Sequence, residues 1–251
     1  MRNPVRSLFR QLAPSTIIDY FEELQGRIEN LEKVIDTLIE RPVYDHSASI
    51  ALNQQHHRRA MFHELAAVEG MEMIVETGTW IGETAAYMAT STGLPVHTCE
   101  LNPRYYQLAQ KRTEAVSGIT FNLADSRSFL HSIADRLTAA KRVFCYLDAH
   151  WYNDLPLKEE VQLIARYAQS FVIMIDDFEV PGDEGYKFDD YGPGKTLNRE
   201  LLQTEINAND MGVFYPSIPS SQETGLVHGC IVLCSTDLKE TLAGESTLSP
   251  A

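Results

Sequence analysis

Residues Met73 to Thr84 read MIVETGTWIGET. The apolar run Met73-Ile74-Val75 has the character of a buried strand. It leads through Glu76, Gly78 and Gly82 into a helix-forming segment, Glu83 to Ala89. Strand, glycine turn and helix in that order aim backbone N–H groups and a helix N-terminus at a ligand. Gly78 permits the tight turn, and Gly82 is expected to let a ligand approach the backbone. The spacing is E-x-G-x-x-x-G, which departs from the dinucleotide pattern G-x-G-x-x-G.

Working outward, Pro95 to Glu100 (PVHTCE) reads as a second strand ending in an acid. Glu100 lies 18 residues after Gly82, near the ~20 expected of a ribose-binding carboxylate in a Rossmann-like unit. A carboxylate can accept from both ribose hydroxyls. Ile119 to Asp125 (ITFNLAD) is a third strand, and Asp125-Ser126 at its end stands where an adenine amino group would be met. Strand and helix patterns then alternate to residue 175, which predicts a parallel sheet covered on both faces.

These motifs together resemble the class I S-adenosylmethionine-dependent methyltransferases, over roughly residues 50 to 235. The resemblance implies a Rossmann-like, seven-stranded, mostly parallel α/β sheet in the order 3-2-1-4-5-7-6. It implies that Glu76 and the turn Gly78, Thr79 and Gly82 meet the methionine part of the cofactor. Glu100 would take the ribose, and Asp125 with Ser126 would flank the adenine.

Composition narrows the partners. There are 35 Asp and Glu against 21 Lys and Arg, a formal charge of −14. That argues against nucleic acid or an anionic membrane as the main partner. The basic run Gln54 to Arg59 is expected to be the polar face of a helix. Cys99, Cys145, Cys230 and Cys234 all sit in apolar, strand-like runs without C-x-x-C spacing, so buried reduced thiols and a cytoplasmic location are expected.

At the N-terminus, Ile17, Phe21, Leu24, Ile28, Leu31, Ile35 and Leu38 alternate steps of four and three. Ile at a and Leu at d favour a parallel two-stranded coil, so residues 17–38 are expected to self-associate as a homo-oligomer. The domain reading is a coiled-coil segment at 1–45, a catalytic domain at 46–235 and a tail at 236–251. A helix over Ile50 to Val68, with Ala60, Met61, Leu65 and Val68 on one face, should lead into the first strand.

In a doubly wound sheet, ligands bind beyond the carboxyl ends of the strands. Strand four, VFCYL, ends in Asp148-Ala149-His150-Trp151, and strand five, FVIMI, ends in Asp176-Asp177. Three carboxylates and an imidazole would converge there. Like charges so close raise one another's pKa values unless a cation neutralises them. Oxygen ligation suits Mg2+, with manganese or calcium as substitutes. The long loop Glu179 to Lys195 would cover the site, with Tyr186, Phe188 and Tyr191 placed to stack on a ring, and Trp80 and Trp151 walling the pocket.

This arrangement resembles the metal-dependent sugar O-methyltransferases of antibiotic biosynthesis and, more loosely, the cephalosporin-hydroxylase-like branch. The resemblance implies Asp148, Asp176 and Asp177 as metal ligands. It implies an aspartate base two residues after Asp148, where this chain has His150; a neutral imidazole is a competent base near pH 7. The activity implied is methyl transfer to a hydroxyl of a small polar acceptor, a sugar or polyol, with S-adenosyl-L-methionine and Mg2+ as cofactors. Two other readings stay open: a nicotinamide-dependent oxidoreductase, which Glu100 fits and the glycine spacing does not, and a non-catalytic adaptor using the coiled coil.

Overall fold

Five parallel strands form from short runs rich in β-branched, aromatic and apolar residues. They are β1 (Met73–Thr77), β2 (Val96–Glu100), β3 (Ile119–Leu123), β4 (Val143–Leu147) and β5 (Phe171–Ile175). Of these, β1, β4 and β5 are buried throughout, β2 all but its last residue, and β3 at the sheet edge is only partly covered. All pair in parallel, with Val75 opposite both His97 and Cys145. The computed structural model describes Leu24, residues 50–150 and residues 154–251. The expected coiled coil therefore lies outside the described residues, apart from the single helical position Leu24, as does Trp151.

Three more strands complete the sheet: β6 (Gly212–Pro216), β7 (Ile231–Cys234) and β8 (Leu248–Pro250). The order is β3-β2-β1-β4-β5-β7-β6-β8, with β7 antiparallel to both β5 and β6 and β8 antiparallel to β6. The first seven follow the order the resemblance implies. The eighth corrects both the seven-stranded expectation and the reading of 236–251 as a tail. Leu242 and Leu248 give that segment apolar side chains to bury, and β8 covers the open edge of β6.

Alternation along the strands builds two cores. Met73, Val75, Val143, Cys145, Leu147, Phe171, Ile173 and Ile175 face one way. They meet α4 (Ser126–Ser132), α6 (Leu157–Tyr167) and α7 (Arg199–Ala208) through Phe129, Val161, Ile164 and Leu202. Ile74, Phe144, Tyr146, Val172 and Met174 face the other way, onto α1 (His56–Ala66) and α2 (Glu83–Thr92). Phe62 of α1 meets Phe144 edge-on at 5.3 Å between ring centres. Further helices are α3 (Pro103–Arg112), α5 (Ala134–Ala139) and α8 (Lys239–Ala243). All four cysteines are free and buried, as expected. No helix among the described residues is long and apolar enough to cross a membrane.

The helix expected from Ile50 starts at His56 instead, because Leu52, Asn53 and Gln54 all adopt left-handed backbone angles (φ 52°, 60° and 58°). Each such residue costs about 1–2 kcal/mol, so other contacts must hold the run in place. Leu226 N–H donates to Asn53 O at 2.9 Å, and the Thr224 hydroxyl donates to Gln54 O at 3.0 Å. Gly225 nestles against both, since a Cβ there would lie 2.2 Å from Asn53 O.

Candidate functional site

The sheet reverses direction between β1 and β4: β2 and β3 lie to one side of β1, and β4 and β5 to the other. Ligands of open α/β sheets bind at such a switch point. A cavity of about 340 Å³ opens there, lined by Leu52, Asn53, Gly78, Thr79, Trp80, Tyr146, Asp148, Asp176 and Leu226 among others. Its rim is apolar and open, with Trp80 48% and Leu226 65% exposed. Its inner wall carries a phenol, an amide and two carboxylates. Of the six non-glycine residues with positive φ among the described residues, Leu52, Asn53, Gln54 and Trp80 line this cavity, and Asp177 adjoins Asp176. Strain of this kind collects at functional sites.

The glycine turn divides its work differently from the expectation. Gly78 has φ +87°, and a Cβ there would sit 2.3 Å from the Asp148 carbonyl oxygen. The bare backbone thus lets the β1 and β4 exits touch. Gly82 (φ +81°) faces Ala109 of α3 and Thr113 at its C-terminal cap, so its bare backbone also serves helix packing. Gly78→Ala is expected to cost about 2–3 kcal/mol from strain and overlap together, seen as a lower urea midpoint at unchanged slope.

The Glu100 carboxylate is held by two backbone N–H groups. Its Oε2 accepts from Trp80 N–H at 2.8 Å and its Oε1 from Asn102 N–H at 2.8 Å. The left-handed angle at Trp80 (φ 46°) belongs to this arrangement. Each oxygen keeps a free lone pair, enough for two hydroxyls. Glu76 is buried under the turn, where its Oε2 accepts from the Thr98 hydroxyl at 2.6 Å; Thr98 also meets the Thr79 hydroxyl at 2.5 Å. Burial, reinforced by the charge of Glu100, pushes the Glu76 carboxyl up to about 8. Asp125 caps α4 by accepting from Ser128 N–H at 3.1 Å, and Ser126 is buried. Of the expected cofactor, metal and catalytic residues, Gly78, Thr79, Asp148 and Asp176 meet in the cavity wall; Glu76, Gly82, Glu100, Asp125, Ser126, His150 and Asp177 lie outside that lining.

The three-aspartate magnesium set does not fit. Asp176 Oδ1 accepts from the Arg58 guanidinium and from Asp177 N–H at 2.8 Å. Its Oδ2 accepts from the Tyr146 hydroxyl and from Asn53 Nδ2 at 3.0 Å. Two oxygens offer about four lone-pair sites, and all four are taken, one by a cation. Arg58 also donates to the carbonyl oxygens of His228 and Gly229. Within the basic run read as a polar face, Arg58 is therefore buried. The signal was present: Arg58, Met61, Phe62 and Leu65 share one helical face by spacing, so a charge stands in an apolar stripe.

Asp148 and Asp177 turn toward a different neighbour. His150 Nε2 lies 3.9 Å from Asp148 Oδ1, 3.9 Å from Asp177 Oδ2 and 3.8 Å from Asp189 Oδ2. Burial, and then the charges of Asp176, Asp177 and Glu76, raise the Asp148 pKa well above the ordinary carboxylate range, although 38% of its side chain stays open to solvent. Burial pushes Asp177 up as well, but the imidazoles of His150 and His228 outweigh it and hold Asp177 well below that range. Asp189 is brought in by the loop and accepts from the Tyr191 hydroxyl. Tyr186, expected to stack on a ligand, is instead buried and donates to Ile218 O at 3.2 Å.

Fold and cleft thus define a Rossmann-like α/β protein with an acid-lined pocket at its switch point. No protein-family model matches the chain, and no curated protein matches it. Among solved structures it is similar to EvdMO1, with a TM-score of 0.46 and 17% identity over 72% of this chain and 40% of that chain. The match therefore spans less than half of EvdMO1. It is also similar to magnesium protoporphyrin IX methyltransferase from Synechocystis PCC 6803 with S-adenosylmethionine bound (TM-score 0.47, 12% identity, 72% and 79% of the two chains). A third is the N-methyltransferase NodS from Bradyrhizobium japonicum WM9 (0.48, 14%, 71% and 93%). This is likeness of fold; reaction and substrate are read from the site itself.

Proposed function

We propose that the protein is an S-adenosylmethionine-dependent methyltransferase acting on a hydroxyl of a small polar acceptor, a sugar or other polyol. The observation that carries this reading is the switch-point cavity, walled by the Gly78–Trp80 turn and by Asp148, with Glu100 held beside it by Trp80 N–H. An acid-rich pocket suits a ligand that is cationic at one end, and Glu100 offers paired acceptors to a ribose. The bound cofactor supplies an electrophilic methyl group on a sulfonium sulfur.

Asp148 is the residue fitted to take the acceptor's proton, because it lines the cavity and its raised pKa makes it a stronger base than an ordinary carboxylate. The cofactor would give its methyl group to the acceptor oxygen and keep the electron pair of the carbon–sulfur bond on sulfur, and Asp148 would take the acceptor's proton. His150, expected as the base, lies outside the cavity lining. Tyr146 donates to Asp176 and keeps that carboxylate from competing for the proton. Trp80 and Leu226 at the rim suit the apolar face of a sugar ring, while the polar wall takes its hydroxyls.

Calorimetry with S-adenosylhomocysteine tests the reading. Stoichiometric binding is expected, unaffected by NADH, and Glu100→Ala should weaken it at least about tenfold through loss of two charge-assisted hydrogen bonds. A folded protein that binds no S-adenosylhomocysteine would rule the activity out.

A further inference from the structure

The carboxylates around His150 outline a ligand set that shares Asp148 and Asp177 with the one the resemblance implies but differs from it in His150. We propose that Asp148, His150 and Asp177, with Asp189 beside them, bind a divalent transition-metal ion, His150 serving as a nitrogen ligand in the place that Asp176 cannot fill. One ligand atom from each of the first three residues lies within 4.8 Å of the others. The His150 side chain is 3% exposed, and neither ring nitrogen has a hydrogen-bond partner among the described residues. A buried polar group without a partner costs about 1–3 kcal/mol, so an orphaned imidazole aimed at three carboxylates points to something between them.

The distances agree. Nε2 stands 3.8–3.9 Å from all three carboxylate oxygens, too far for hydrogen bonds. Ligands held about 2.0–2.2 Å from one cation lie roughly 3–3.5 Å apart, so a small inward shift would close the set. The supports are already built. Asp177 is fixed in a left-handed conformation (φ 51°), and its Oδ1 accepts from His228 Nδ1. Asp189 is held by the Tyr191 hydroxyl, which reaches the His150 carbonyl oxygen at 3.4 Å. Such outer contacts orient metal-binding carboxylates. One nitrogen with several carboxylate oxygens suits manganese, iron or zinc, whereas magnesium prefers oxygen and water alone.

The test does not rest on methyl transfer. Full-length protein freed of metal with EDTA is titrated with Mn2+, Zn2+ and Mg2+ by calorimetry, with Co2+ absorption as a probe of ligand type. One equivalent of Mn2+ or Zn2+ is expected, bound at least about tenfold more tightly than Mg2+, with a Co2+ spectrum showing nitrogen ligation. His150→Ala should lower the affinity at least about tenfold and remove that signature. Asp177→Asn should do likewise, which keeps the test open if His150→Ala does not fold. No stoichiometric metal, equal preference for Mg2+, or unchanged affinity in a folded His150→Ala would overturn the site. S-adenosylhomocysteine binding measured on the same samples separates the two readings. Metal without the nucleoside removes only the methyltransferase, and the nucleoside without metal removes only this site.

Discussion

Replacing Arg58 by Met is expected to lower folding stability by about 3–5 kcal/mol, the usual cost of stripping one partner from a buried ion pair. Arg58 and Asp176 are both almost fully buried, with side chains 2% and 4% exposed. Burial opposes the charge on Arg58, but the adjoining Asp176 carboxylate holds the guanidinium firmly protonated. Without it, Asp176 keeps the Tyr146, Asn53 and Asp177 donors but loses the one cation bonded to it among the described residues, and the carbonyl oxygens of His228 and Gly229 lose a partner. Urea unfolding would show the loss as a shifted midpoint. The double variant Arg58→Met, Asp176→Leu should recover only part of it, since Leu removes the unpaired charge but leaves the Tyr146 hydroxyl, the Asn53 amide and Asp177 N–H without their acceptor. A single-variant loss below about 1 kcal/mol would mean that the pair does not hold α1 against β5.

Glu76→Gln is expected to stabilise the protein, and only above acidic pH. In the fold the Glu76 carboxyl is raised from its ordinary 4.5 to about 8, mainly because it is buried. Between those values the folded state holds a proton that the unfolded state has lost, so unfolding releases a proton and stability falls as pH rises. The contribution of the neutral acid is fully present below about 4.5 and gone once pH passes about 8. Each pKa unit is worth about 1.4 kcal/mol, so ionised Glu76 costs at most about 5 kcal/mol. Gln keeps an acceptor for the Thr98 hydroxyl without the charge. The difference between variant and wild type should be near zero at pH 4, grow through pH 6 and level off above pH 8 at about 2–5 kcal/mol. A difference independent of pH would show that Glu76 is not held neutral.

Much of this was legible in the residues. The runs MIVET, VFCYL and FVIMI announce buried strands by composition alone, and glycine after the first strand announces a turn, because these are local properties of the chain. Glu100 was singled out by its spacing, and the fold brings it against the glycine turn through Trp80 N–H. The edge strand β8 was missed because LSP is too short to carry a pattern; only the unpaired edge of β6 recruits it.

The sequence by itself determined a doubly wound α/β sheet and the rim at which its acids gather, since apolar periodicity and topology decide where strand ends point. Which acid does what was decided by tertiary structure. Asp176 and Asp177 are adjacent in the chain, yet one is filled by Arg58, Asn53 and Tyr146 and the other stands beside His150 with His228 behind it. Arg58, Asn53, Asp189 and His228 reach the site from segments up to 175 residues apart. Hydrogen bonding and charge neutralisation depend on distances in space, and spacing along the chain does not encode them.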